Sequence, residues 1–123
     1  MTTGRVNWLL EAIFHIEIQD ASGNFHRIQC ILDTGFDRDI ALPLGVIERL
    51  GLVPGEIVGV TLANSAHTLM MRYNATVFWQ EQLIEVEVLQ TKSESVIGMA
   101  LLENSIVTLQ VWDGGEVLIE ERP

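Results

Sequence analysis

An apolar segment of this 123-residue chain runs directly into an acid, a hydroxyl and a glycine, at Asp33, Thr34 and Gly35. An ionised carboxylate at the end of a buried strand is costly unless hydrogen bonds or an opposite charge compensate it. Gly35 lets the backbone approach a substrate or partner closely, and the Thr34 hydroxyl can fix the loop. The triplet indicates a site with carboxylate chemistry, although Asp and Gly are also ordinary residues of a turn that ends a strand.

Hydrophobic alternation with period two predicts that most of the chain is β-structure. Two short helices are predicted, one that starts with Pro43 and stops before Gly51, and one within Gly98–Glu103. These elements predict a mostly β, small closed or partly closed β-barrel with one or two short helices, in a single domain spanning residues 1–123. The predicted strands are Ala12–Gln19, Phe25–Leu32, Thr76–Trp79, Leu83–Gln90, Ile106–Trp112 and Glu116–Glu120, and Glu56–Tyr73 is predicted as a long hairpin bent at residues 63–66.

The charge balance limits the classes of partner. Seven basic residues against seventeen acidic ones give a net charge of −10, which disfavours nucleic acid and anionic membranes, because both are bound through Lys and Arg. Substrates or partners are expected to be neutral or basic. No apolar run approaches the roughly 18 residues of a membrane span, so we predict no membrane partner and a cytoplasmic location.

Several other residue types are predicted to have structural roles. Cys30, the lone cysteine, is predicted to be an apolar filler. Glu85 and Glu87 are predicted to lie on the solvent-exposed face of a strand. The histidines have no metal-ligand spacing, so no metal or other cofactor is expected: His15, His26 and His67. The tryptophans are predicted to be core or interface residues: Trp8, Trp79 and Trp112.

Two separated motifs resemble one known family. Residues 30–35, Cys-Ile-Leu-Asp-Thr-Gly, and residues 96–102, Val-Ile-Gly-Met-Ala-Leu-Leu, resemble two segments of the retropepsin-like aspartic proteases. These segments are an apolar-Asp-Thr-Gly run and a later apolar-Ile-Gly-x-x-Leu-Leu run. The chain looks closest to the small prokaryotic members of that clan, from about Phe14 onward. The resemblance implies a retropepsin-like barrel that hydrolyses peptide bonds in peptide or protein substrates.

The single Asp-Thr-Gly motif has a consequence for assembly. Peptide hydrolysis by carboxylates requires two acids that share a proton, yet the motif occurs once in this sequence. Twofold symmetry can supply the second acid by bringing two Asp33 side chains together. The resemblance therefore implies a homodimeric aspartic endopeptidase in which Asp33 is catalytic. The alternative is a non-catalytic peptide-binding or dimerisation module on the same fold.

The resemblance also implies roles for residues near the motif. Thr34 would hydrogen-bond across the dimer axis, and the Gly35 carbonyl would accept a hydrogen bond from the substrate backbone. Asp37 matches a position that binds substrate main chain near the cleft. The hairpin around Asn64 and Ser65 takes the place of a flap, a mobile hairpin that closes over bound peptide and excludes water.

The downstream motif both supports and departs from the family pattern. Ile97 and Gly98 would pack behind the catalytic loop. Residues 99–100, Met-Ala, replace an Arg and a polar residue of the viral enzymes, so Asp37 lacks its expected basic partner. Arg38 is an alternative partner, although strand alternation could equally point it to solvent. It stays open whether the end of the chain builds the interleaved dimer sheet of the viral enzymes.

Overall fold

The computed structural model describes residues 1–61 and 64–123 and contains ten strands and two short helices within those ranges. The strands are β1 Thr2–Val6, β2 Ala12–Gln19, β3 Phe25–Leu32, β4 Ile40–Pro43, β5 Pro54–Thr61, β6 His67–Trp79, β7 Gln82–Thr91, β8 Val96–Ile97, β9 Ser105–Leu109 and β10 Glu116–Glu121. The helices are α1 Leu44–Leu50 and α2 Met99–Leu102. Neither helix of the described ranges is long and apolar enough to cross a membrane.

The strands form one mixed sheet that closes partly on itself. Their order in the sheet is β5-β6-β7-β4-β8-β3-β2-β1-β10-β9, and β6 also pairs with β2, which closes the strands between them into a ring. The first half of β6 pairs with β5 and extends beyond this ring as a hairpin. On the other side, β1, β10 and β9 continue the sheet. The predicted mostly β, partly closed architecture is confirmed.

The ring encloses a hydrophobic core that follows from the alternation in the sequence. Along β2 every second residue is buried, which confirms the predicted facing of Ala12, Phe14, Ile16 and Ile18. The ring of Phe14 packs against that of Trp79 on β6, with centroids 6.3 Å apart and a tilt of 50°, a geometry favoured by aromatic pairs. This contact lies beside the β2–β6 pairing that closes the ring, where Glu17 is opposite Phe78.

Both predicted helices are present. The first begins at Leu44 instead of Pro43, because Pro43 is in the extended conformation and ends β4. Gly51 closes this helix in the left-handed region, at φ +67°, and its N–H donates to the Glu48 carbonyl. The second helix, α2, lies within the predicted segment.

Two strand predictions were wrong at their ends. The strand expected to begin at Thr76 is the second half of β6, because the residues before it stay in register with β7, for example Tyr73 opposite Val88. Strand β9 ends at Leu109, before the predicted Trp112, because residues 110–115 form the turn into β10. In this turn Gly114 has φ +85°, a conformation that favours glycine.

Candidate active site

Asp33 lies where β3 leaves the sheet. β8 runs between β3 and β4, in parallel with β3 (Leu32 opposite Ile97) and antiparallel to β4. The backbone N–H of Asp33 donates to the Ile97 carbonyl at 2.9 Å, which ties the start of the loop to β8. The side chain is half-buried, and its Oδ1 accepts a hydrogen bond of 2.9 Å from the Gly35 N–H. The orientation of the carboxylate is therefore set by its own loop.

The loop after Asp33 is held against the start of α2 at Gly98. A Cβ at this position would lie 2.2 Å from the Arg38 carbonyl oxygen and 2.6 Å from Cδ2 and the carbonyl oxygen of Phe36. Two hydrogen bonds join the same segments: the Gly98 N–H donates to the Asp39 carbonyl at 2.9 Å, and the Met99 N–H donates to the Phe36 carbonyl at 2.7 Å. Only glycine allows this close backbone approach.

A cavity of about 220 Å³ opens beside Asp33. It lies between the Asp33 loop, the β5–β6 hairpin and the segment that joins β7 to β8. Its lining combines two carboxylates, those of Asp33 and Glu94, with apolar and hydroxyl side chains. The lining residues are Asp33, Gly35, Phe36, Ala41, Val60, Thr61, Met70, Thr91, Ser93, Glu94 and Val96.

The predicted flap residues lie at the tip of the β5–β6 hairpin. Asn64 and Ser65 are exposed, the Asn64 Oδ1 accepts a hydrogen bond of 3.0 Å from the Ala66 N–H, and Ser65 has φ +65°. The bend was predicted to start at Ala63, which lies outside the described residues. The hairpin contributes Val60, Thr61 and Met70 to the cavity, whereas Asn64 and Ser65 are not part of its lining.

Arg38 contacts a carboxylate other than Asp37. Its Nη1 lies 3.1 Å from both carboxylate oxygens of Glu87 on β7, and its Nη2 donates to the Gly59 carbonyl of β5 at 3.3 Å. The Nε of Arg72, on β6, lies 3.3 Å from the same carboxylate. The Glu87 side chain is only 10% exposed, while Asp37 is exposed. Arg38 therefore ties the Asp33 loop to β7 and to the hairpin, and its carboxylate partner is Glu87 instead of the predicted Asp37.

Two features of this region were missed by sequence analysis. Strand alternation predicted that Glu87 lies on the solvent-exposed face of its strand, but the side chains of Arg38 and Arg72 cover it. The second feature is the contribution of Thr91, Ser93 and Glu94 to the cavity. Their only signal was a short polar run between two apolar strands, which is also typical of an ordinary loop. Among the described residues, no group of three or more His, Cys, Asp or Glu side chains could hold a metal ion.

Known structures share this arrangement of strands. The EIAV protease, solved in complex with the inhibitor HBY-793, matches with a TM-score of 0.56 and 18% sequence identity, over 74% of this chain and 84% of that one. A retropepsin-like aspartic protease from Rickettsia conorii matches with a TM-score of 0.51 and 18% identity, over 88% of this chain and 93% of that one. In sequence, the chain matches no protein-family model and no curated protein. The chain has a retropepsin-like fold, as the two motifs predicted.

Proposed function

We propose that this protein is an aspartic endopeptidase, active as a homodimer in which each subunit contributes Asp33. The observation that carries the proposal is the position of Asp33. Its carboxylate is half-buried, oriented by the Gly35 N–H, and lies at a cavity bordered by a β-hairpin. The fold is one that the two matched aspartic proteases share.

Pairing of two Asp33 side chains would provide a base and an acid in one site, which a single carboxyl group cannot do. Two carboxylates about 3 Å apart repel each other strongly when both are ionised, so such a pair shares one proton. One member is then a base and the other an acid at the same pH. The hydrogen bond from Gly35 and the bond from Asp33 to Ile97 hold each carboxylate in place before substrate binds.

The proposed reaction uses a water molecule between the two carboxylates. The ionised Asp33 takes a proton from this water as its oxygen attacks the carbonyl carbon of the peptide bond. The protonated Asp33 of the other subunit gives its proton to the carbonyl oxygen, which produces a tetrahedral diol. The Asp33 that took the proton from water then gives it to the leaving nitrogen, and the carbon–nitrogen bond breaks. The other Asp33 takes a proton back from a diol hydroxyl, so a carboxylic acid and an amine are released and the pair returns to its starting state.

The size of the cavity supports a site shared between two chains. Its volume of about 220 Å³ is smaller than the roughly 300–1,000 Å³ of a complete ligand pocket, as expected for half of a cleft. We propose that Thr34 bonds to its counterpart across the axis. Asp37, Asn64 and Ser65 would contact the substrate main chain when the hairpin closes.

We place the enzyme in the cytoplasm, where a lone cysteine such as Cys30 stays reduced. Its substrates are neutral or basic peptide segments, because the chain carries a net charge of −10 and Glu94 lines the cavity. Ile97 and Gly98 support the catalytic loop from behind.

The proposal is tested by digesting a peptide library at several pH values with the wild type, Asp33→Asn and Glu48→Gln. Glu48 is exposed on α1, away from the Asp33 loop, and serves as the matched control for replacing a carboxylate by an amide. We expect the wild type and Glu48→Gln to cleave alike, and Asp33→Asn to lose at least about 10³-fold in rate, in the range of an acid–base contribution. Cleavage by Asp33→Asn at the wild-type rate would overturn the proposal.

Two further readouts separate the alternatives. Activity per chain should fall on dilution as the dimer dissociates, and a constant activity through a measured monomer transition would contradict the shared site. If neither the wild type nor Asp33→Asn cleaves, but both bind an extended peptide, the protein is a peptide-binding module on this fold.

A further inference from the structure

Two neighbouring loops expose a cluster of large apolar side chains, which we name the apolar end face. It consists of Trp8, Leu9 and Leu10, between β1 and β2, and of Val111 and Trp112, between β9 and β10. Each of these side chains is more than half exposed, from 57% at Leu9 to 74% at Trp8. Residues 6–10 and 105–112 contain no charged side chain, in a chain whose net charge is −10, and Glu11 and Asp113 are the charged residues that directly follow them.

The two loops are joined through Val6. The Val6 N–H donates to the Gly115 carbonyl, and the Val6 carbonyl accepts from the Gly114 N–H, each at 2.8 Å. The last residue of β1 therefore anchors the turn that carries Trp112, while the residues after it carry Trp8. The exposed side chains therefore belong to two loops whose backbones are joined by hydrogen bonds.

The first loop is held in a defined conformation by the hydrogen bonds of one side chain, that of Asn7. The Asn7 Oδ1 accepts hydrogen bonds from the N–H groups of Leu9 at 3.1 Å and Glu11 at 2.9 Å, and the Asn7 Nδ2 donates to the Glu11 side chain at 3.0 Å. Leu10 has φ +61°, a left-handed conformation that costs free energy for a residue with a Cβ. Backbone strain of this kind clusters at functional sites. The loop that contains this strained residue exposes three apolar side chains to solvent, which does not stabilise an isolated chain.

The apolar end face lies at the same end of the sheet as Asp33. β2 and β3 are antiparallel with Ile13 opposite Ile31, so the residues before Ile13 and the residues after Ile31 leave the sheet at one end. Leu10 precedes Ile13 and Asp33 follows Ile31, so both lie at this end of the sheet. β1 reaches the same end, because Val6 pairs with Ala12, and it brings the Trp112 turn with it.

We infer that the apolar end face is the surface through which two copies of this chain associate. The inference rests on the proposed function, which requires two Asp33 side chains to meet at this end. Two copies with ten net negative charges each repel one another, so a mostly uncharged surface, bordered by Glu11 and Asp113, is where they approach at lower electrostatic cost. Burying it removes exposed tryptophan and leucine from water.

The size and connectivity of the face fit a second copy. The five side chains expose on the order of 500 Å² of apolar surface, a large share of the roughly 800 Å² that each partner buries in a standard interface. β1 and β10 already pair with each other within the chain, from Thr2 opposite Ile119 to Arg5 opposite Glu116. Association through the end loops therefore needs no exchange of terminal strands.

Sedimentation velocity over a range of concentrations tests the inference, with the full-length wild type, Trp8→Glu, Trp112→Glu and the control Val53→Glu. Val53 is exposed to the same 74% as Trp8. It follows α1 near the β2–β3 turn, where the Ala21 N–H donates to the Leu50 carbonyl, at the opposite end of β2. We expect either tryptophan substitution to raise the dimer dissociation constant at least about 30-fold, the effect of losing a hot-spot residue. Val53→Glu should leave it within about twofold.

Two additional variants keep the outcomes separate. Trp8→Ser removes the side chain without adding charge and should weaken the dimer in the same direction; circular dichroism checks that each variant is folded. Asp33→Asn should remain dimeric. A wild type that is monomeric throughout, or Trp8 and Trp112 variants that dimerise like the wild type, would overturn this interface. A dimer that depends on both tryptophans but cleaves no peptide would support the interface and refute the proposed function instead.

Discussion

Replacing Gly98 by alanine should destabilise the protein by about 3–5 kcal/mol. The new Cβ would lie 2.2 Å from the Arg38 carbonyl oxygen and 2.6 Å from two atoms of Phe36, whereas real Cβ atoms almost never come closer than 3.0 Å to such atoms. Two of these three neighbours are backbone oxygens, which cannot rotate away. The start of α2 and the Asp33 loop must therefore separate by about an ångström.

The magnitude has two parts. Forcing an extra carbon into a filled space costs about 1–3 kcal/mol. The separation also weakens the hydrogen bonds that join the two segments, from the Met99 N–H to the Phe36 carbonyl at 2.7 Å and from the Ala100 N–H to the Arg38 carbonyl at 3.3 Å. Each such bond contributes about 1 kcal/mol.

Urea unfolding at one fixed protein concentration, followed by tryptophan fluorescence, measures the effect. Gly45→Ala is the matched control, because Gly45 lies in α1 and a Cβ there would meet no atom within 4 Å. This control should gain up to about 1 kcal/mol, since alanine favours the helix and restricts the unfolded chain. A Gly98→Ala variant within about 0.5 kcal/mol of the wild type, or equal losses in both variants, would refute the reasoning.

Two further results follow from the same structure. Glu87→Gln should lower the free energy of unfolding in urea by about 1–2 kcal/mol, because the half-exposed Arg38 and Arg72 lose the negative partner that they share. The control Glu85→Gln, at an exposed position of the same strand, should change stability little. Equal effects of the two substitutions would contradict the stabilising role of Glu87. Burial raises the pKa of the Cys30 thiol to about 12, so the folded protein should be unreactive toward a disulfide reagent at about pH 8 and react once unfolded. Rapid reaction of the native protein would show that the thiol is accessible.

The elements predicted correctly are those whose cause is local. The bounds of β2 and β3 agree with the prediction, because alternation persists along both strands and the turn between them is built from its own residues. In that turn, the Asp20 side chain accepts hydrogen bonds from the N–H groups of Ser22 and Asn24. The end of α1 is also determined by local residues, because Gly51 adopts the left-handed conformation that closes the helix.

Two of the strands missed from the sequence, β4 and β8, have no local period. β4 is buried on both faces at Ile40, Ala41 and Leu42, so no alternation marks it, and β8 has only two residues. β8 is a strand because β3 and β4, from a distant part of the chain, lie on either side of it. Propensity within a few residues carries no information about such a partner.

The sequence by itself determined the chemical groups: one carboxylate, one hydroxyl and one glycine at the end of an apolar strand, and a glycine in a second motif far downstream. Only the tertiary structure decided what surrounds them. It placed Gly98 against the Asp33 loop, turned Arg38 to Glu87, and brought Val60 and Ser93 to one cavity. The physical reason is range: alternation and turn preferences act between near neighbours, whereas these contacts depend on the register of strands that pair across long stretches of chain.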